Sequence, residues 1–128
     1  MIHRFDMTVY YEDTDMAGVV YHANYIKFIE RARTEWVKAI GLDQNQMRGG
    51  GQVFAVRRIN ADFMAPAKFA DALTISTSIG SLTPARLTLN QQIVRAGVVL
   101  FMAEVEIVLL STGGRPLRLP AEIRQAFR

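Results

Sequence analysis

Cysteine is absent from this sequence, and histidine occurs only twice, at His3 and His22. Without cysteine the chain cannot form disulfide bonds, thiolate metal ligands or a cysteine nucleophile. The two histidines lie far apart in the sequence, unlike the closely spaced ligand pairs of zinc sites. We therefore expect no bound metal.

Long uncharged apolar runs are also missing. The longest apolar stretch, residues 98–110, contains Glu104 and Glu106, so it does not qualify as a membrane span. The first residues, Met-Ile-His-Arg-Phe-Asp, carry charge where a signal peptide would have an apolar core. These two observations predict a cytoplasmic protein without a membrane span.

The positive charges are not concentrated in one place, although the net charge is +3. Only Arg57 and Arg58 are adjacent, and the C-terminus carries a loose group of arginines at positions 115, 118, 124 and 128. No basic helix face or aromatic–basic motif typical of nucleic-acid-binding domains accompanies them. The pattern argues against a nucleic-acid partner, whereas a mildly positive surface suits a small polyanionic ligand.

Hydrophobic periodicity predicts one long helix among strands. Six apolar residues recur at about 3.6-residue spacing on one face, namely Tyr25, Phe28, Ile29, Ala32, Trp36 and Ile40. Asn24 is a suitable N-cap and Gly41 a suitable stop. Alternating patterns predict a strand over residues 3–11 and four more after a flexible loop at residues 48–52. Pro120 can open a short C-terminal helix.

This order of elements predicts a single α+β domain spanning residues 1–128. The short connections after residue 64 favour an antiparallel meander. The helix has one apolar stripe and the sheet one apolar face, so each can cover the other and the helix should lie across the sheet. In the second strand, alternation predicts one shared side for Val53, Ala55, Ile59, Ala61 and Phe63.

Residues 10–25 combine carboxylates, a glycine, a histidine and a helix start. A helix start presents free backbone N–H groups that could polarise a carbonyl, and a nearby carboxylate could attack that carbonyl or activate water. Gly18 would let the loop fold back closely. Asp13 and Asp15 also fit an ordinary turn, and His22 fits a satisfied polar residue. The residue types alone favour this second interpretation, because local hydrogen bonding by aspartate is common.

The segment Tyr-Tyr-Glu-Asp-Thr-Asp-Met-Ala-Gly-Val-Val-Tyr-His-Ala-Asn-Tyr, continued to Trp36, resembles the signature of the hotdog-fold acyl-CoA thioesterases. It is similar to the 4-hydroxybenzoyl-CoA thioesterase branch, and most closely to the Tol-Pal-associated acyl-CoA thioesterase group. Residues 60–75 are similar as well, so the resemblance covers essentially the whole chain. It implies a hotdog fold, in which a five-stranded antiparallel sheet wraps around one long central helix.

The resemblance also implies roles for individual residues. Asp15 matches the catalytic aspartate, which acts as nucleophile or general base. His22 lies at the position whose backbone N–H donates to the thioester oxygen in the family, and its imidazole could assist the reaction. Asp13 matches a frequent family carboxylate that we interpret as structural.

Substrate contacts are implied at two further places. The residues expected around the helix start are Gly18, Tyr21, Asn24 and Tyr25. The strand at residues 53–56, with Val53 and Phe54, corresponds to the acyl pocket of the family. Arg57 and Arg58, and also Lys68 and Arg86, could contact coenzyme A phosphates. Isolated cations of this kind also fit an ordinary solvated surface.

The implied activity is hydrolysis of a short-chain or aromatic acyl-CoA to free acid and coenzyme A, by a homodimer or homotetramer. No cofactor is expected, since coenzyme A enters as part of the substrate. Two alternatives stay open. The chain could act on acyl carrier protein thioesters, which kinetics with both carriers would reveal. It could instead be a non-catalytic acyl-CoA-binding or scaffold protein in an envelope complex, which would release no free thiol.

Overall fold

A long helix lies against one face of an antiparallel sheet in the computed structural model, which describes residues 1–128. The strands are β1 (His3–Thr8), β2 (Gln52–Phe63), β3 (Ala72–Leu82), β4 (Leu87–Arg95), β5 (Val98–Ser111) and β6 (Pro116–Leu117). The helices are α1 (His22–Ala39), α2 (Gln44–Gly49) and α3 (Ala121–Ala126), with a 3-10 turn at Tyr11–Asp13.

The strand order in the sheet is β1-β3-β4-β5-β2, and every neighbouring pair is antiparallel. The predicted α+β architecture with five strands and one long helix is therefore confirmed. The two-residue strand β6 pairs with β5 and was not predicted, because two residues carry no readable alternation. Strands β1 and β2 form the two edges of the sheet.

The core lies between α1 and the inner face of the sheet. On α1 the predicted stripe is buried at Tyr25, Phe28, Ile29, Ala32 and Trp36. Opposite it, the sheet buries Leu73, Ile75, Leu87, Leu89, Ile93, Phe101, Val105 and Leu109. Aromatic stacking closes both ends, since the Tyr25 ring lies 5.4 Å from that of Phe101 and the Trp36 ring lies 5.4 Å from that of Phe127.

A polar group is buried in the middle of this core. The Gln91 side chain, only 1% exposed, donates to the Ile29 carbonyl of α1 (3.0 Å) and to the Thr77 hydroxyl of β3 (2.9 Å). Its Oε1 accepts from the Arg33 guanidinium (2.9 Å), which also donates to Glu30 (2.7 Å). Burial lowers the pKa of Arg33, and the Glu30 carboxylate partly offsets that effect. The Gln91 amide thus joins two strands to the helix.

No helix in the structure is both long and apolar enough to span a bilayer.

The predicted start of the long helix was wrong by one turn. Helix α1 begins at His22 with Tyr21 as its N-cap, so Asn24 lies in the first turn. Asn24 does not cap the helix because it lies inside the first turn, where its side-chain amide donates to the Asp13 carboxylate (3.0 Å). This contact, rather than a capping bond, engages the Asn24 side chain.

The predicted facing of β2 was also wrong in its first half. A bulge between Val56 and Arg58 shifts the pairing with β5. The β5 partners of Phe54 and Val56 therefore lie on the same face of the sheet as the β5 partner of Ile59. Val53 and Ala55 point to the other side, because one extra residue inverts the alternation.

Two other boundaries differ from the sequence prediction. Strand β1 ends at Thr8, because the chain turns into the 3-10 turn before Tyr11. The expected loop at residues 48–52 is partly helical, since α2 extends to Gly49. Asp43 caps α2 by accepting from the Gln46 N–H (3.0 Å).

Replacing Gln91 by Leu tests the buried polar junction. The variant keeps a similar volume but leaves Arg33 and Thr77 without their buried partner, so we expect a loss of about 2–4 kcal/mol in the free energy of unfolding. Gln92→Leu, on the outer face of the same strand, should change it by less than about 0.5 kcal/mol. Urea unfolding followed by circular dichroism measures both. Equal stability of the two variants would contradict the role of Gln91.

Candidate active site

A short loop, Thr14–Val20, connects the 3-10 turn to α1 and is closed by its own backbone. Thr14 and Val20 form an antiparallel bridge, and the Asp15 N–H donates to the Val19 carbonyl (2.9 Å). The Gly18 N–H donates back to the Asp15 carbonyl (3.0 Å), with Gly18 at φ +80°. That left-handed conformation favours glycine, so Gly18 closes the loop as expected. We call this segment the Asp15 loop.

The Asp15 side chain is exposed and only partly committed to its loop. Oδ1 accepts from the Ala17 N–H (2.9 Å), the local turn contact that the sequence alone favoured. Oδ2 makes no hydrogen bond within the chain, so it is free to meet a substrate or a water molecule. The turn interpretation and the chemical interpretation of Asp15 are therefore compatible.

Asp13 has the opposite environment, two residues earlier. Its side chain is buried, at 3% exposure, and accepts from the Tyr10 N–H (2.9 Å) and the Asn24 amide (3.0 Å). Its backbone carbonyl accepts from the Tyr21 N–H (2.9 Å). These contacts hold the entrance of the Asp15 loop against the start of α1. They support the structural interpretation of Asp13.

The start of α1 presents His22 to solvent. The first N–H groups of a helix have no partner carbonyl in the preceding turn, so those of His22 and Ala23 can donate to a ligand. The His22 imidazole is exposed and lies 4.5 Å from the Tyr21 ring. Tyr21 is itself 46% exposed, so both rings are accessible to solvent.

Two of the predicted contact residues support the helix start from inside. Asn24 is engaged by Asp13, and Tyr25 is buried at 4% exposure. The Tyr25 hydroxyl accepts from the Ala67 N–H (3.0 Å), and its ring lies 5.5 Å from that of Phe63. Tyr25 therefore joins α1 to the β2–β3 connection.

Sequence reasoning missed a turn at residues 66–71, in the β2–β3 connection, that supports the Asp15 loop. The Val20 N–H donates to the Ala67 carbonyl (2.8 Å), and Val19 forms an antiparallel bridge with Lys68. The available signals were Pro66 and the similarity of residues 60–75 to the family. Neither signal indicates by itself which segment the turn contacts.

A cavity of about 150 Å³ lies at the other end of α1. Its apolar wall includes Trp36, Val37, Phe54, Val56, Ile107 and Phe127, and its polar wall includes Glu30, Arg33 and Thr34. We call it the α1–β2 cavity. Of the two residues predicted to contact the acyl group, Phe54 lines this cavity and Val53 does not, because the bulge in β2 turns Val53 to the other side. Glu30 follows His22 by eight residues, so the cavity begins about 12 Å along the helix axis from the helix start.

Three of the four predicted phosphate contacts, Arg57, Arg58 and Arg86, lie around the bulge of β2, whereas Lys68 lies in the 66–71 turn and bridges to Val19. Arg57 and Arg86 both form ion pairs with Glu106, the latter at 2.8 Å, while Arg58 is exposed and unpaired. Hydrogen bonds from Arg86 and Arg57 hold the pKa of Glu106 below its ordinary value. The predicted site residues thus fall into two groups, one at the helix start and one along β2.

Comparison with known proteins agrees with the fold. Residues 9–127 match the family described as the thioesterase-like superfamily. The acyl-CoA thioester hydrolase YbgC of Escherichia coli is 39% identical over 99% of this chain and 96% of its own. The acyl-CoA thioesterase YbgC of Haemophilus influenzae is 35% identical over 96% and 92%. A crystal structure of a probable thioesterase from Bartonella henselae superposes with a TM-score of 0.90 at 39% identity, over 94% of this chain and all of that one.

The two aspartates should respond differently to the same substitution. Asp13→Asn replaces one of two buried acceptor oxygens by an NH2 group, so either Tyr10 or Asn24 loses its acceptor and we expect a loss of about 1–3 kcal/mol in the free energy of unfolding. Asp15→Asn is the matched control and should cost less than about 0.5 kcal/mol, because the side chain is exposed. Urea unfolding at neutral pH compares them. A larger loss for Asp15→Asn than for Asp13→Asn would contradict the structural role of Asp13.

Proposed function

This chain belongs to the thioesterase-like superfamily and hydrolyses acyl-CoA thioesters, and we propose that Asp15 is the carboxylate that carries the reaction. The observation behind this proposal is the free Oδ2 of Asp15, in a closed loop that leads directly to the free N–H groups of α1. An exposed nucleophile or base beside a cluster of donors is the arrangement that acyl transfer needs.

The helix start supplies the electrophilic assistance. The thioester oxygen accepts from the His22 N–H, where the partial positive charge of the helix favours the negative charge that develops as the carbonyl is attacked. These donors are fixed by the helix, so they need little rearrangement during the reaction. The exposed imidazole of His22 can add a hydrogen bond from the same side.

Asp15 can act by either of two routes. As nucleophile, Oδ2 adds to the carbonyl carbon, the C–S bond breaks, coenzyme A leaves as the thiolate, and water then hydrolyses the acyl–aspartyl anhydride. As general base, Asp15 takes a proton from water while the water oxygen adds to the carbonyl, and the proton passes to the departing sulfur. Both routes need a carboxylate at this position, and neither uses a metal or a further cofactor.

The proposed acyl group is short or aromatic. The α1–β2 cavity has about 150 Å³, a volume that can hold a ring the size of benzene. Its aromatic wall, at Trp36, Phe54 and Phe127, suits a flat or short apolar group. Arg57 and Arg58 lie on the neighbouring part of β2 and are the proposed contacts for coenzyme A phosphates.

The proposed assembly is a homodimer, or a homotetramer built from two such dimers. Within one chain, α1 starts beside the end of β2, where Tyr25 meets Phe63, and finishes beside its beginning, where Trp36 and Phe54 both meet Phe127. Strand β2 lies at an edge of the sheet, and its outer side has no partner strand. A two-fold axis that pairs β2 with its copy makes the strands antiparallel.

That antiparallel pairing places the helix start of one chain beside the α1–β2 cavity of the other. It removes the separation of about 12 Å between these two regions within one chain. A thioester held at Asp15 could then place its short acyl group in the partner's cavity. We therefore propose that each active site uses both chains. We also propose that the enzyme works in the cytoplasm.

Thioester hydrolysis tests the role of Asp15. Asp15→Asn keeps the size of the side chain but removes the charge needed for attack or proton abstraction. We expect kcat to fall at least about 10³-fold while acyl-CoA binding survives. The measurement is thiol release over a panel of acyl-CoA chain lengths that includes benzoyl and phenylacetyl esters, with binding followed by calorimetry.

Several outcomes of that measurement separate the alternatives. Parental turnover in Asp15→Asn would refute the assignment. Preference for acyl carrier protein thioesters over the matching coenzyme A esters would show that the substrate's acyl group is carried by acyl carrier protein. Tight binding of coenzyme A esters without any thiol release would indicate the scaffold function.

Mixing two inactive variants tests the shared site. Asp15→Asn removes the carboxylate, and Val56→Trp fills the cavity from β2. In a random mixture of dimers, half pair one chain of each kind, and each such dimer has one intact site. We therefore expect about a quarter of the parental activity to return after subunit exchange. No recovery, or a 14 kDa monomer by light scattering, would contradict the shared site.

A further inference from the structure

The 66–71 turn is the surface on which the Asp15 loop rests. Ala67 is completely buried and uses both of its backbone groups, donating to the Tyr25 hydroxyl (3.0 Å) and accepting from the Val20 N–H (2.8 Å). Lys68 bridges to Val19, whose carbonyl accepts from the Asp15 N–H (2.9 Å). Only two backbone contacts therefore separate this turn from the reactive carboxylate.

The turn has a conformation that must be held by its surroundings. Ala70 has φ of 70°, a left-handed value that non-glycine residues rarely adopt. Its N–H donates to the Val9 carbonyl (3.0 Å), and the Val9 N–H donates to the Asp71 carbonyl (3.0 Å). These bonds fix the end of the turn to the chain after β1, but they do not reach Pro66 and Ala67 at its beginning.

An ion pair adds a further hold on the beginning of the turn, beside the bonds of Ala67 and the one from the Ala65 N–H to the Leu100 carbonyl (3.1 Å). The Arg95 guanidinium, at the end of β4, donates to the Pro66 carbonyl (3.1 Å) and to the Asp71 carboxylate (2.8 Å). Asp71 also accepts from the Lys68 N–H (2.8 Å). Arg95 and Asp71 therefore connect both ends of the turn to each other and to the sheet.

We propose that Arg95 and Asp71 are positioning residues for the hydrolysis, because they fix the turn that sets the place of Asp15. This inference rests on the proposed function of Asp15. Partly exposed ion pairs of this kind contribute little to global stability. Their contribution here is local, since the turn they close carries the contacts of Val19 and Val20. Small displacements of a reactive group are costly for the rate of the chemical step.

Ionisation of Asp71 fits this role. Desolvation alone would raise the pKa of the Asp71 carboxyl, but hydrogen bonds from Arg95 and the Lys68 N–H, together with the two positive charges, hold it below its ordinary value. The ion pair therefore persists at neutral and mildly acidic pH, and it is lost only as the pH falls through that lowered pKa.

The test compares Asp71→Asn with Asp6→Asn in the full-length protein. Both variants lose one exposed or partly exposed aspartate charge, but Asp6 bonds only to Thr74 on the outer side of β1. We expect Asp71→Asn to lower kcat about 10- to 100-fold, with KM within about twofold of the parent. Asp6→Asn should leave both constants unchanged.

Hydrogen exchange gives a second measurement that needs no substrate. The Val20 N–H should exchange at least about tenfold faster in Asp71→Asn, whereas amides in the centre of α1 should keep the parental rate. Arg95→Lys should retain more activity than Arg95→Ala, because lysine preserves the charge. The double variant Asp71→Asn with Arg95→Gln should lose no more than either single variant, since both act through one pair.

The outcomes separate this inference from the proposed function. If the parent releases no thiol from any acyl-CoA, the proposed function fails, and the exchange rate of Val20 still reports on the turn. If the parent is active and Asp71→Asn keeps both its kcat and the parental exchange of Val20, the positioning role is overturned. Uniformly faster exchange throughout α1 would also overturn it, because the pair would then act on global stability.

Discussion

The hydrogen bond from Gln91 to the Ile29 carbonyl fixes where α1 lies along the sheet. Apolar packing alone would tolerate small shifts of a helix across an apolar face, because dispersion contacts are not directional. A buried amide that must satisfy one particular carbonyl removes that freedom. Once the middle of a rigid helix is fixed, both of its ends are fixed as well. The donors at His22 and the cavity beside Trp36 therefore both depend on Gln91, which bonds to Arg33 in the cavity wall and does not contact the helix start.

Much of the fold was readable from periodicity, since the apolar stripe of α1 and the alternation of the later strands were both correct. The errors have tertiary causes. Asn24 is a good capping residue by type, but the helix begins at His22, and Asn24 instead bonds the first turn to the buried carboxylate of Asp13. The bulge at Arg57 inverts the facing of Val53 and Phe54 without leaving any mark in the alternation. Gln91 interrupts an apolar series between Leu89 and Ile93, and that interruption was the visible sign of the buried junction.

The candidate site also has a part that the local sequence reveals and a part that only tertiary contacts reveal. Asp15 and its loop are contiguous in sequence, so the resemblance to a family could identify them together. Their support comes from Ala67 and, through the turn, from Arg95, which lies at the end of another strand. In the sequence, Asp71 and Arg95 look like ordinary surface charges. Residues that act on a site through an intervening turn carry no local pattern, and only the fold brings them together.

The alternation of Asp13 and Asp15 along one short loop has a consequence for how this chain can evolve. One carboxylate is buried and the other is exposed, and inserting or deleting a residue between them would displace the Thr14–Val20 bridge and the hydrogen bond from the Asp15 N–H to the Val19 carbonyl. The loop therefore tolerates little variation in length. The walls of the α1–β2 cavity come from the far half of α1, from β2, β4 and β5, and from Gln44 and Phe127, and none of these residues forms a backbone hydrogen bond with that loop. If the proposed site is correct, drift in those walls changes the preferred acyl group without altering the Asp15 loop.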